Sequence, residues 1–263
     1  MGLFALRLRA LSGRGSQIYK NGCLGTQMTQ QDQEIADRLA QVKATLSQAC
    51  VRAQRSVELV AVSKTFPAEA VLAAANAGQS VFGENYAQEG CAKVDWFKEN
   101  HPEKKLVWHF IGPLQANKTR PVSEHFDWVD SVDRLRIAKR LNDQRPEGLP
   151  PLNVLIEVNI SAEESKSGVM PEELQAVARE IAKLPRLKLR GLMAIPEPAE
   201  EDEAVRSPLR AMKALFDAHK DEFGWDTLSM GMSADMVQAV EEGSTMVRVG
   251  SAIFGARHYP AKA

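Results

Sequence analysis

Cysteine is scarce in this chain. Three occur in 263 residues, Cys23, Cys50 and Cys91. Their spacings match neither a zinc-ligand pattern nor a disulfide-exchange motif. The count is odd, which favours free thiols in a reducing, cytoplasmic setting over a disulfide framework. The plain reading of each is a small buried or half-buried side chain. Excess charge is lacking too. The formal net charge is −1, so no global field attracts nucleic acid or an anionic membrane surface. No apolar run approaches the length of a membrane-spanning helix. No G-x-G-x-x-G follows the first strand candidate, as a Rossmann dinucleotide site would require. No internal repeat and no low-complexity linker divides the chain. Acidic residues are absent from positions 1–27, which carry Arg7, Arg9, Arg14 and Lys20; the first acid is Asp32. Arg-rich, acid-free composition suits a transit peptide or an over-extended start. Met28 opens "MTQQDQEIADRLAQV", which reads as a natural start followed by a helix. Residues 1–27 are therefore expected to be a disordered, dispensable extension, and residues 28–263 the folded unit.

What remains is an ordinary globular composition, 44% hydrophobic and 25% charged, long enough for a full core. Ile35, Leu39, Val42, Leu46 and Ala49 recur at helical spacing and predict an amphipathic helix over 31–54. An alternation then begins. "ELVAVSKT", "SVFGENY", "KLVWHFIG", "FDWVDSV", "LNVLIEVNI", "RLKLRGLMAI", "TLSMGM" and "STMVRVGSAIFG" read as strands. Each of the first seven is followed by a helical segment. Pro67 opens the first of these, Asp133 caps another, and Pro121 and Pro208 interrupt two more. Strands alternating with helices imply βαβ units and a parallel sheet. Eight units predict a single α/β domain, a (β/α)8 TIM barrel with an extra N-terminal helix. A doubly wound open sheet is the alternative.

In such a barrel the chemistry sits where the strands end. "ELVAVSKTFP" is an apolar run that ends on Lys64. A lysine near a barrel mouth can be partly desolvated, which favours the neutral, nucleophilic amine; the plain alternative is a lysine that snorkels to the rim. "SMGMSADM" places Ser233 as a helix N-cap with Gly231 before it, an arrangement that suits an anion. "VRVGSAIFG" brings Gly250 and Ser251 to the same corner. Helix capping alone would explain Ser233 but not the second pair. Arg248 lies two residues before Gly250, so it faces the same side, the barrel interior or its mouth. An interior arginine needs a partner: a ligand ring nitrogen, or a carboxylate such as Glu157. An amine, a phosphate cradle and an arginine for a ring nitrogen together describe a site for pyridoxal 5′-phosphate.

The motifs "VAVSKT", "FGENYAQE", "WHFIGPLQANK", "NVLIEVNISAEESKSG", "RGLMAIP", "LSMGMSADM" and "GSTMVRVGSAIFGAR" together resemble the pyridoxal phosphate homeostasis protein family, over about residues 32–258. The resemblance implies a barrel like the N-terminal domain of alanine racemase, fold type III. It implies that Lys64 is the Schiff-base lysine and that Arg248 faces the pyridine nitrogen. It implies that Ser229, Gly231, Ser233, Gly250 and Ser251 hold the phosphate, and that Asn85 and His109 line the site. A packed, hydrogen-bonded core histidine is the competing reading for His109. The resemblance also implies a monomer in contact with pyridoxal phosphate and, transiently, with apo-enzymes that need it.

Three functions are open. One is a non-catalytic carrier for vitamin B6 homeostasis. A second is a racemase-like enzyme. A third is a regulatory scaffold whose ligand is only structural. Racemisation needs a base on each face of the substrate carbon. Alanine racemase draws its second base, a tyrosine, from a further β-rich domain. The tyrosines here are Tyr19, Tyr86 and Tyr259. Tyr19 is in the extension, Tyr259 follows the barrel, and Tyr86 sits at strand two; none is an evident second base. The carrier reading is the expectation.

Overall fold

The computed structural model describes residues 29–161 and 167–256. Residues 1–27, Tyr259 and Lys166, the lysine of "SAEESKSG" that would be the other candidate for an adduct, therefore lie outside the described residues. Eight parallel strands close into one barrel in chain order. They are β1 (Glu58–Val62), β2 (Val81–Glu84), β3 (Val107–Phe110), β4 (Trp128–Val132), β5 (Leu152–Glu157), β6 (Leu187–Met193), β7 (Thr227–Ser229) and β8 (Met246–Val249). The barrel closes where β1 meets β8, with Val60 opposite Arg248 and Ala61 opposite Val249. That pairing rules out an open sheet.

The helices are α1 (Gln30–Ala53), α2 (Ala68–Asn76), α3 (Ala87–Asn100), α4 (Thr119–His125), α5 (Leu135–Gln144), α6 (Leu174–Ile181), α7 (Asp202–Phe223), α8 (Met236–Glu241) and α9 (Ser251–Phe254). The extra helix α1 starts at a capping box, in which Thr29 and Asp32 each accept from the other's backbone N–H. Its buried residues are Ile35, Leu39, Val42, Leu46 and Ala49, the stripe its periodicity picks out. The stripe packs α1 against α2, α8 and α9. Pro208 sits inside α7 without ending it. Pro121 falls in the first turn of α4, where its missing N–H costs no intrahelical bond.

Three local expectations are corrected. Strand seven stops at Ser229, because Gly231 takes a φ of +96° that extended backbone does not allow. Ser233 is not an N-cap: α8 begins only at Met236. The intervening turn is closed instead by Asp235 Oδ1, which accepts from the Met232 N–H at 2.7 Å. Asp133 does not cap α5 either. The cap position is Arg134, with which the Asp133 carboxylate is paired.

Side chains inside a barrel alternate with those facing the helices, so the interior is layered. Val60, Val81, Val107 and Met246 form a small apolar cluster apart from the main core. It plugs the amino-terminal half of the barrel. Two residues further along these strands come Val62, Gly83, His109 and Arg248. Two further still come Lys64, Asn85, Ile111 and Gly250, past the strand ends. The main core lies outside, between the strands and the helices, and includes Phe82, Trp108, Phe110, Ile156, Leu192 and Val247.

Candidate functional site

The third layer opens into a cavity of about 270 Å³ at the carboxyl ends of the strands, close to the low end of small-ligand sites. Lys64, Asn85, Ser233, Arg248, Gly250 and Ser251 line it together with Val62, Ile111, Ile195, Met232 and Ala234. Six of the nine sequence-predicted site residues are thus brought together. His109, Ser229 and Gly231 are not among the lining; each sits beneath it.

Ser229 is fully buried. Its hydroxyl accepts from Arg248 Nη1 at 2.8 Å, while Arg248 Nη2 donates to the Ala194 carbonyl at 2.9 Å. These contacts, and not an ion pair with Glu157, are the hydrogen bonds of the guanidinium among the described residues. Burial pulls the Arg248 pKa down, and the nearby charges of Asp130, Asp235 and Glu157 oppose that pull. It remains a cation, because a guanidinium starts far above any ordinary pH. Gly231 backs the same strand: its carbonyl accepts from the Arg248 N–H at 2.9 Å. A Cβ at position 231 would stand 2.4 Å from Ala239 Cβ.

His109 takes the packed arrangement. It is 1% exposed, its Nδ1 lies 3.1 Å from both carboxylate oxygens of Asp130, and its ring stacks on Trp128 at 4.8 Å. Arg190 lies over the same indole at 4.7 Å.

Lys64 is the second residue of a tight turn, Ser63 to Phe66, closed by the Phe66 N–H donating to the Ser63 carbonyl at 3.1 Å. The third residue, Thr65, has a φ of +69°. Glycine is the usual occupant there, and a β-branched side chain is strained. Asn85 Oδ1 is buried and has no hydrogen-bond partner among the described residues. Buried polar atoms are rarely left so, and this one belongs to a residue of the cavity wall.

The lining is chemically one-sided. Its charged side chains, Lys64 and Arg248, are both cationic, and two hydroxyls accompany them. Such a donor set suits an anionic ligand with an electrophilic carbon in reach of an amine. The apolar members escaped the sequence reading. Ile111 and Ile195 each stand two residues beyond an inward-facing position, His109 and Met193, so the same period-two count that places Lys64 would have found them.

A larger groove of about 540 Å³ runs outside the barrel between α2 and α3, over Thr65, Phe66 and Trp96. Of its charged groups, Glu89 and Lys93 are already engaged with each other and with the Lys64 turn, which leaves the carboxylate of Glu69. The smaller cavity at the strand ends is therefore the candidate site.

Known proteins match this arrangement. Residues 37–258 match the family model of the alanine racemase N-terminal domain. The pyridoxal phosphate homeostasis protein of Escherichia coli is 56% identical over 233 residues, which cover 87% of this chain and 99% of that one. Its counterpart in Vibrio cholerae is 53% identical over 228 residues, 86% of this chain and 96% of that one. PipY of Synechococcus elongatus, solved with pyridoxal phosphate bound, superposes with a TM-score of 0.73 at 33% identity and covers 84% of this chain and 100% of that one. Alanine racemase of Corynebacterium glutamicum shares the fold, with a TM-score of 0.62 at 18% identity over 88% of this chain and 63% of that one. A family model spanning most of the chain and relatives more than half identical along nearly all of their own length place it plainly: it belongs to the pyridoxal phosphate homeostasis protein family, built on the barrel of the alanine racemase N-terminal domain.

Proposed function

We propose that the chain binds pyridoxal 5′-phosphate at the strand-end cavity, holds it through a reversible Schiff base on Lys64, and serves intracellular vitamin B6 homeostasis without catalysing a reaction of its own. The observation that carries this reading is the cavity lining, an amine and a guanidinium with hydroxyl donors and no carboxylate among the described residues. When bound, the cofactor supplies an aldehyde that condenses with a primary amine, forming C=N while the carbonyl oxygen leaves as water.

Each residue then has a task. Lys64 offers the amine. The Ser233 and Ser251 hydroxyls and the backbone at Gly250 take the phosphate. Gly250 suits this position because a Cβ there would press within 3.1 Å of the Val62 carbonyl. Asn85 contributes the unpartnered oxygen. Arg248, held from behind by Ser229 and Ala194, presents its remaining N–H groups to the ring nitrogen. His109 and Gly231 keep the layer below rigid.

The same arginine argues against catalysis. A guanidinium only donates, so it keeps a pyridine nitrogen unprotonated. An unprotonated ring is a weak electron sink for carbanions. A second base is also wanting among the described residues of the lining. Tyr86, 50% exposed at the head of α3, does not line the cavity. On this reading the protein works as a cytoplasmic monomer that passes the cofactor to apo-enzymes. Among the described residues no helix is long and apolar enough to cross a membrane.

The test is an absorption spectrum of the purified protein with added pyridoxal phosphate, followed by borohydride reduction and peptide mapping. A new visible absorption band on adding the cofactor and a reduced adduct on Lys64 are expected. Lys64→Ala should lose the adduct. A colourless protein, or an adduct that persists in Lys64→Ala, defeats the assignment. Racemisation of added alanine over hours would favour the enzyme reading instead.

A further inference from the structure

Directly behind the Lys64 turn lies a buried ionic triad that the binding reading does not use. Glu84 ends β2 and is fully buried. Glu89 and Lys93 stand one turn apart on α3. Lys93 is 5% exposed and has three N–H donors. All three are spent: on Glu84 Oε1 at 2.7 Å, on Glu89 Oε1 at 2.7 Å and on the Ser63 carbonyl at 2.8 Å. Glu84 Oε1 also accepts from the Ser63 hydroxyl at 2.6 Å. Glu89 Oε1 accepts from the Thr65 N–H at 2.6 Å.

The peptide groups that flank Lys64 are therefore held from one helix. The carbonyl before it is bonded to Lys93, and the N–H after it is bonded to Glu89. Those two side chains are bonded to each other. Buried ion pairs seldom repay their desolvation in stability alone. A β-branched residue at positive φ is likewise a cost that the surroundings must impose. Both costs fall on the residues adjacent to Lys64.

We propose that the Glu84–Lys93–Glu89 triad is a positioning device for Lys64. It forces Thr65 into the left-handed region and so fixes the direction in which the Lys64 side chain leaves the turn. The proposal rests on the reading that Lys64 carries the bond to the cofactor. Glu89 is the member to vary. Its side chain is 29% exposed, and Lys93 keeps its pair with Glu84 when Glu89 is changed.

The experiment compares Glu89→Asp with Glu89→Gln. The aspartate keeps the charge but is one methylene too short for the Thr65 N–H. The glutamine loses the charge but still offers an oxygen at the right reach. Three readouts are taken on each protein: hydrogen exchange of the 63–66 backbone without ligand, the dissociation constant for pyridoxal phosphate, and the circular dichroism of the bound chromophore per mole bound. Positioning predicts faster exchange at Thr65, about tenfold weaker binding and a diminished dichroic band in Glu89→Asp. It predicts near wild-type values in Glu89→Gln. A merely structural role would lower the melting temperature without altering the dichroism of the ligand that remains bound. The reverse pattern, glutamine impaired and aspartate normal, assigns Glu89 an electrostatic role and overturns the proposal. So does wild-type binding and dichroism in both variants. A wild-type protein that forms no reducible adduct on Lys64 instead defeats the binding reading, and this proposal with it.

Discussion

The most direct quantitative test concerns Glu157, the last residue of β5. It is half-buried beside the cavity, in an adjoining pocket of about 200 Å³ that shares Ile195 with it. Burial pushes its carboxyl up to about 7, the like charge of Asp133 adds to this, and Arg248 offsets part of it. The ordinary value is 4.5. The folded chain thus holds this proton more tightly than the unfolded chain does. The group's contribution to stability is fully present below about pH 4.5 and is lost as pH rises through about 7. At about 1.4 kcal/mol per pH unit, the loss at pH 8 is up to about 3 kcal/mol.

Glu157→Gln keeps the shape and cannot ionise. At pH 8 it should be more stable than wild type by up to about 3 kcal/mol, a rise in melting temperature of roughly 5–10 °C for a domain of this size. At pH 5 the difference should shrink below about 1 kcal/mol. Urea unfolding at both pH values reads this directly, with the slope checked for constancy. A gain that is equal at the two pH values, or a loss at pH 8, refutes the reasoning. The first would mean that the substitution acts through packing. The second would mean that the ionised carboxylate is held favourably by Arg248.

Three further substitutions separate the residues that hold the site from those that line it. Ser229→Ala leaves a buried guanidinium N–H without its acceptor, so both stability and cofactor affinity should fall, by about 1.5–3 kcal/mol in a denaturation midpoint analysis; unchanged stability would mean that water replaces the hydroxyl. Gly231→Ala combines a positive φ with a 2.4 Å clash against Ala239, and should cost about 2 kcal/mol or more in thermal unfolding; a melting temperature within a degree of wild type would contradict it. Ser233→Ala, at an exposed position, should leave stability unchanged and weaken pyridoxal phosphate binding by about 1 kcal/mol, roughly fivefold in a titration; equal affinity would remove Ser233 from the phosphate cradle.

Periodicity made the scaffold legible. The five-residue stripe of α1 and the eight apolar runs report burial directly, and burial is what hydropathy encodes. Strand ends were legible to within a few residues for the same reason, strand seven stopping short at Ser229, and Lys64, Asn85, Arg248 and Gly250 fall on one cavity. Fine detail was lost where backbone groups do the bonding. Arg248 invited a carboxylate partner, and the structure supplies the Ala194 carbonyl and the Ser229 hydroxyl. A carbonyl has no signature in a sequence. Ser229 and Ser233 looked equivalent, yet Gly231 breaks the alternation between them, so one is buried under the arginine and the other is exposed at the rim. Lys93 escaped notice for a different reason. It lies on the Gly90, Lys93, Val94, Phe97 stripe that α3 buries, and a lysine in an apolar stripe is the one residue there whose presence needs explaining.

Lys93 and Arg248 pose the same physical problem and receive the same answer. Each is a cation withdrawn from water inside a small protein, which is unfavourable unless its donors are matched. Lys93 meets acceptors from the ends of β1 and β2 and from α3. Arg248 meets acceptors from the ends of β6 and β7. In both cases the matching groups come from more than one segment, so they converge only once neighbouring strands have packed. Neither cation can shift without unmaking bonds to several segments at once. The walls they support, the turn that carries Lys64 and the floor beneath the cavity, are therefore set by the fold before any ligand arrives. A cavity so prepared loses little conformational freedom on binding, and more of the contact energy is left as affinity. That is why substitutions at Ser229, Gly231 and Glu89, which lie behind the cavity wall, are expected to be felt in the site.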